Sequence, residues 1–130
     1  LTNDTLKQVI DLARDSGQYE KTTLWEWISL LVHLACRDHL EVVEVDGEVL
    51  GFAAWVRVET PSGERMESVP REIDKGKYIN VILACVKEKG FRILRELKDG
   101  IATKCPGARF FLGTRDKYDE NEPRVRKIRR

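Results

Sequence analysis

The chain has no apolar run long enough to cross a bilayer, no cysteine pair at metal-ligating spacing, only two histidines, and almost no net charge. Each absence removes a class of function. The longest strongly apolar run, WISLLVHLAC from Trp27 to Cys36, is too short for a membrane span and lies in a charged chain. LTNDTLK at the start has neither the basic n-region nor the apolar h-region of a secretory signal, so the expectation is a soluble cytoplasmic protein with no membrane partner. Cys36, Cys85 and Cys105 are odd in number and far apart, which reads as reduced thiols in a reducing compartment. His33 and His39 miss the i, i+4 spacing of a helical metal pair and have no cysteine pair to join them, so no metal site is expected. A net charge of +1 gives no bulk attraction for polyanions. Repeats and low-complexity tracts are also missing.

What is present fits one domain over residues 1–130, long enough to bury a core without disulfides or metal. The charge is unevenly distributed. Residues 1–70 hold six basic against thirteen acidic side chains, and residues 71–130 hold seventeen against nine. The second half is therefore the anion-attracting one.

Helical periodicity at Leu6, Val9, Ile10 and Ala13 predicts a first helix capped by Asn3 or Asp4, with Gly17 as the C′ residue. Thr23 and Glu26 have capping-box spacing ahead of Trp27, Ile28, Leu30, Leu31 and Leu34. That second helix is apolar around much of its circumference, which predicts deep burial. Asp46-Gly47 between two β-rich runs predicts a hairpin, with Leu50, Phe52, Ala54, Val56 and Val58 on one core face. Residues 60–77 carry two prolines, two glycines and many charges and read as a long loop, either functional or disordered.

YINVILACVKEKGFRILREL, residues 78–97, begins as a buried strand to Val86 and ends as an amphipathic helix from Gly90, extending to about Lys104 before CPG stops it. A strand passing to a helix through a short basic loop with a glycine is a place where α/β proteins hold phosphate, because helix-start amides and the helix dipole favour an anion. The plain alternative is a solvated turn. ARFFLGTR reads as a further strand, and RVRKIRR as a charged edge strand or a basic tail within 116–130. The order is α-α-β-β-β-α-β(-β), and the sheet is mixed.

This order resembles the GNAT N-acetyltransferase fold, an α/β class with a mixed, mainly antiparallel sheet, over about Asp4 to Arg115. DGEVLGFAAW looks like that family's hairpin motif "DGxxVGF". The window Lys87-Glu88-Lys89-Gly90-Phe91-Arg92 falls where the family carries its pyrophosphate loop, (Arg/Gln)-x-x-Gly-x-(Gly/Ala). Gly90 matches, Lys87 is a basic stand-in, and Arg92 departs from the small residue that lets backbone approach phosphate. The chain also looks similar to small phage-encoded GNAT-like proteins and to toxin-activating lysine acyltransferases, which are compact and share a poor pyrophosphate motif.

The resemblance implies an acyl-CoA-dependent N-acyltransferase, with acetyl-CoA or another acyl-CoA held by Val86, Lys87, Lys89, Gly90, Phe91 and Arg92, and an unidentified amine as acceptor. It also implies Glu59, at the end of the second hairpin arm, as the base, and Tyr118 as the acid for the leaving thiolate. Asn80 is a polar side chain in an apolar strand and wants a partner, a sheet neighbour or a substrate. Histidine titrates near neutrality, which makes His33 and His39 weaker candidates, His39 alone lying at an element boundary. Trp25, Trp27 and Trp55 read as core or partner-surface anchors. The alternative function is a non-catalytic GNAT-like module for a protein partner. Nucleic acid is disfavoured, because RVRKIRR has no interleaved aromatics.

Overall fold

The structure, a computed structural model, describes residues 1–16, 24–59, 76–87, 91–113 and 124–130. Two helices, α1 (Asn3–Asp15) and α2 (Leu24–Cys36), precede the hairpin β1 (Leu40–Val45) and β2 (Glu48–Val58). Then come β3 (Tyr78–Val86), α3 (Phe91–Lys104), β4 (Phe110–Gly113) and β5 (Arg124–Lys127). The strands form one sheet in sequence order, antiparallel except for the β3–β4 pair. Gly17, Thr23 and residues 60–75 lie outside the described residues.

The helices cover both faces. Val9, Ala13, Trp27, Leu31 and Leu34 of α1 and α2 pack on Phe52, Ala54, Val56 and Val58 of β2. Leu97, Ile101 and Ala102 of α3 pack on Ala53 and Trp55 from the other side. β2 is therefore buried on both faces, whereas the sequence predicts one. Each large aliphatic or aromatic side chain so buried contributes roughly 2 kcal/mol relative to an exposed one.

Local chemistry explains the elements, with some corrections. Thr2, rather than Asn3 or Asp4, caps α1, its Oγ1 accepting from the Thr5 amide at 3.1 Å. α2 is less buried than its composition suggests, because Trp25 is 78% exposed and Val32, His33 and Cys36 also face outward. Asp46 and Gly47 have φ of 52° and 80°, the double left-handed turn that a two-residue hairpin requires. Leu50 is an extra residue opposite Val43 and Glu44, so Val49 takes the core position expected for Leu50. Gly51 is obligatory for packing: a Cβ there would sit 2.7 Å from Ile93 Cγ2 and 3.1 Å from the Cys85 carbonyl oxygen. The first turn of α3 thus rests directly on β2.

At the sheet edge, Lys104 Nζ of α3 lies 2.9 Å from Asp38 Oδ1 and 3.0 Å from Glu41 Oε2. Burial alone would lower the Lys104 pKa, but the two carboxylates outweigh it and hold the ammonium above its usual value. This ties the end of α3 to the α2–β1 connection.

The basic C-terminal residues are part of the packed structure. Ile128 is buried among Leu97, Ile101 and Phe111, and its amide donates to the Arg109 carbonyl at 2.8 Å. Arg130 donates to the carbonyls of Ala102, Cys105 and Ala108 at 2.8, 2.6 and 2.9 Å. A guanidinium at a helix C-terminus answers both the orphan carbonyls and the negative end of the dipole. Arg130→Ala should lower the unfolding free energy by about 2 kcal/mol, measured by urea denaturation. Arg130→Lys should recover less than half of that, since one ammonium cannot span three carbonyls.

Candidate functional site

β3 and β4 pair over only three rungs, Tyr78–Phe110, Ile79–Phe111 and Asn80–Leu112. The closed end is firmly tied. Arg109 and Phe110 amides both donate to the Lys77 carbonyl, at 2.7 and 3.1 Å, and the Tyr78 and Phe110 rings stack 5.1 Å apart. On the β2 side, Arg57 donates through Nε and Nη2 to the Gly76 carbonyl at 3.1 and 2.9 Å. Beyond Asn80, β3 runs six residues further, to Val86, with no partner on its β4 side among the described residues. At about 3.3 Å per residue, that leaves roughly 20 Å of strand edge whose amides and carbonyls on the β4 side have no strand partner among the described residues.

A bulge marks the same region. Trp55 pairs with Val81 and Ala54 with Leu83, so Ile82 has no opposite number and both Ile82 and Leu83 face α1 and α2. A bulge bends its strand and disturbs the ladder at a defined point. No sequence signal reveals it, because β3 is apolar on both faces and its alternation is hidden.

The open edge leads to the junction that the sequence singles out. Val86 packs beside Gly51 and Ile93. Lys87 donates its amide to the Leu50 carbonyl at 2.8 Å, and its Nζ reaches Glu48 Oε1 at 2.6 Å. Lys89 and Gly90 lie outside the described residues. Phe91 begins α3 and is 89% exposed, and Arg92 Nε lies 3.4 Å from Glu96 Oε1. Both ion pairs are exposed and so hold their cations weakly. α1 and α2 each carry a carboxylate in the first turn, Asp4 and Glu26, but α3 carries none and presents Arg92 instead. Among the described residues, the positive end of its dipole therefore has no first-turn anion.

Glu59 does not join this group. It follows the Val58–Tyr78 rung, exposed, at the closed end of the sheet, eight strand residues or roughly 26 Å from Val86. Tyr118 lies outside the described residues. Neither histidine reaches the open edge: His33 is exposed on α2, and His39 stacks on Trp55 at 4.2 Å beside β1. A groove of about 410 Å³ lined by Thr5, Asp38, Glu41, Glu44 and Lys104 sits at the β1 edge, two strands from β3, and is separate from the open edge. Among the described residues no histidine, cysteine or carboxylate cluster could hold a metal ion, and no helix is long and apolar enough to cross a membrane.

No protein-family model matches the sequence, and no curated protein matches it. Solved structures do. The GphF GNAT-like decarboxylase in complex with isobutyryl-CoA is similar at 16% identity and TM-score 0.64, over 87% of this chain and 62% of that one. The loading GNATL domain of CurA from Lyngbya majuscula is similar at 13% identity and TM-score 0.63, over 90% and 65%. A GNAT family acetyltransferase from Brucella melitensis in complex with acetyl-CoA is similar at 17% identity and TM-score 0.55, over 91% and 75%. The chain thus spans under two thirds of the first two structures. The fold is GNAT-like, with the order of elements and the mixed sheet that the sequence predicts. The narrower likeness to phage-encoded proteins and toxin-activating acyltransferases has no support in these structures.

Proposed function

We propose that this GNAT-like chain is an acyl-CoA-dependent N-acyltransferase that moves an acetyl or other short acyl group to an amine. The observation that carries this reading is the edge of β3 from Val81 to Val86, which has no strand partner on its β4 side among the described residues, closed at Asn80–Leu112 and open toward the start of α3. An extended pantetheine arm is a chain of amides, and a free strand edge offers it backbone donors and acceptors in the manner of an added strand. Its phosphates would then meet Lys87, Lys89, Gly90, Phe91 and Arg92, where α3 lacks a first-turn carboxylate. The acyl-CoA held by both a GNAT-like decarboxylase and a GNAT family acetyltransferase supports the ligand class.

The transfer is direct. The amine nitrogen attacks the thioester carbon, a C–N bond forms as the C–S bond breaks, Glu59 takes the proton from nitrogen, and Tyr118 returns one to the departing thiolate. No covalent enzyme intermediate is needed. Cys85, the thiol on β3, is buried, and burial raises its pKa, which keeps it protonated and unreactive.

Arg92 favours a second reading, a GNAT-like module that binds a protein without catalysis. Its long side chain stands where the backbone would otherwise approach phosphate. Thermal unfolding separates the two. Acetyl-CoA at about 100 times its dissociation constant should stabilise the fold by ~2.7 kcal/mol. An unchanged Tm at millimolar acetyl-CoA would leave the module as the better account.

A further inference from the structure

Asn80 lies on the last rung before β3 and β4 part, flanked across the sheet by Val56 and Leu112. Both neighbours are 2% exposed and belong to the core beneath α1 and α2, so the Asn80 side chain shares that face. It is half-buried and has no hydrogen-bond partner among the described residues. Asparagine is a poor strand former, and an aliphatic residue here would extend the core on both sides. Neither packing nor the sheet ladder accounts for an amide at this position.

A ligand does account for it. We infer that the Asn80 side-chain amide binds the acyl end of the thioester substrate, with Nδ2 donating to the thioester carbonyl oxygen. This rests on the acyl-CoA reading above. A ligand lying along the open edge with its phosphates at the start of α3 brings its other end to the point where pairing with β4 begins. That other end is the thioester. Negative charge builds on its carbonyl oxygen as the amine adds, and a donor fixed in the sheet stabilises it without reorganising. The amide Oδ1 remains available to accept from an incoming amine N–H.

Calorimetric titration with acetyl-CoA and with CoA itself tests the assignment, because the two ligands differ only in the acyl group. Wild type should bind acetyl-CoA about five-fold more tightly than CoA, the worth of one hydrogen bond. Asn80→Leu should keep the CoA affinity, which also shows that the variant is folded, and lose the preference. Its unfolding midpoint should match or exceed that of wild type, since a polar group with no hydrogen-bond partner among the described residues has been replaced by an apolar one. A preference that survives in Asn80→Leu, or a wild type that binds both ligands equally, overturns the role of Asn80 alone. A lower unfolding midpoint in Asn80→Leu shows a structural role instead and likewise overturns it. A wild type that binds neither ligand overturns the acyl-CoA reading and this inference together.

Discussion

Gly76→Ala should destabilise the fold by about 3 kcal/mol, the upper part of the range for overpacking a filled site, and lower Tm by roughly 10 °C. Gly76 is buried at the closed end of the sheet, where a Cβ would meet the Val58 backbone: its carbonyl oxygen, its carbonyl carbon at 2.7 Å and its nitrogen at 2.9 Å. A clash with the tip of a flexible side chain could be relieved by rotation. One with backbone in the last rung of β2 cannot, so β3 must move away from β2 or β2 must bend. Either movement strains the Arg57 hydrogen bonds to the Gly76 carbonyl, which close the same corner. Gly113→Ala is the matched control. A Cβ there meets nothing within 4 Å among the described residues, so a change within about 0.5 kcal/mol is expected. Equal losses for the two variants, read from urea midpoints at unchanged m, would mean that backbone entropy and not close approach governs both sites.

Gly76 also shows where sequence reading stops. In the sequence it is one of two glycines in a charged, proline-bearing stretch, with nothing to distinguish a close backbone approach from an ordinary turn. The order of elements was legible because it rests on local signals: 3.6-residue spacing in α1 and α3, Asp46-Gly47 in the hairpin, Pro106-Gly107 after α3. Features that depend on what lies across space were not. The Ile82 bulge is silent because β3 is apolar on both faces, and the double burial of β2 depends on α3 docking where Gly51 admits it. Arg130 is one arginine among five basic residues, and only the fold shows it bound to three carbonyls at the end of α3. The outward face of α2 reads as core because composition cannot tell which side of an apolar helix meets the sheet. The candidate site divides the same way: the KEKG junction was visible as a strand-to-helix change, whereas the end of β3–β4 pairing at Asn80 was not.

That boundary frames the largest functional effect expected. Glu59→Gln should lower the turnover of acyl transfer by about 100-fold, at the low end for loss of a general base, with acetyl-CoA affinity unaltered. Glutamine keeps the size and most of the hydrogen bonding of the side chain while removing its ability to take a proton. The split between turnover and affinity follows from position. Glu59 follows the rung Val58–Tyr78, two residues of β3 below Asn80, whereas the phosphate-binding residues of the proposal lie at the far end of β3, beyond Val86. Acyl-CoA that ends at Asn80 leaves Glu59 to the acceptor amine beyond it, so the proton acceptor can be lost without loosening the hold on the phosphates. The loss should stay near 100-fold because Glu59 is exposed, so water or buffer reaches the same proton. Added amine buffer should therefore restore part of the Glu59→Gln rate in proportion to its basicity. The measurement is thiol release from acetyl-CoA over a panel of acceptor amines. A rate equal to wild type in Glu59→Gln would remove the carboxylate from the mechanism, and a parallel fall in acetyl-CoA affinity would mean that the change had disturbed the closed end of the sheet instead.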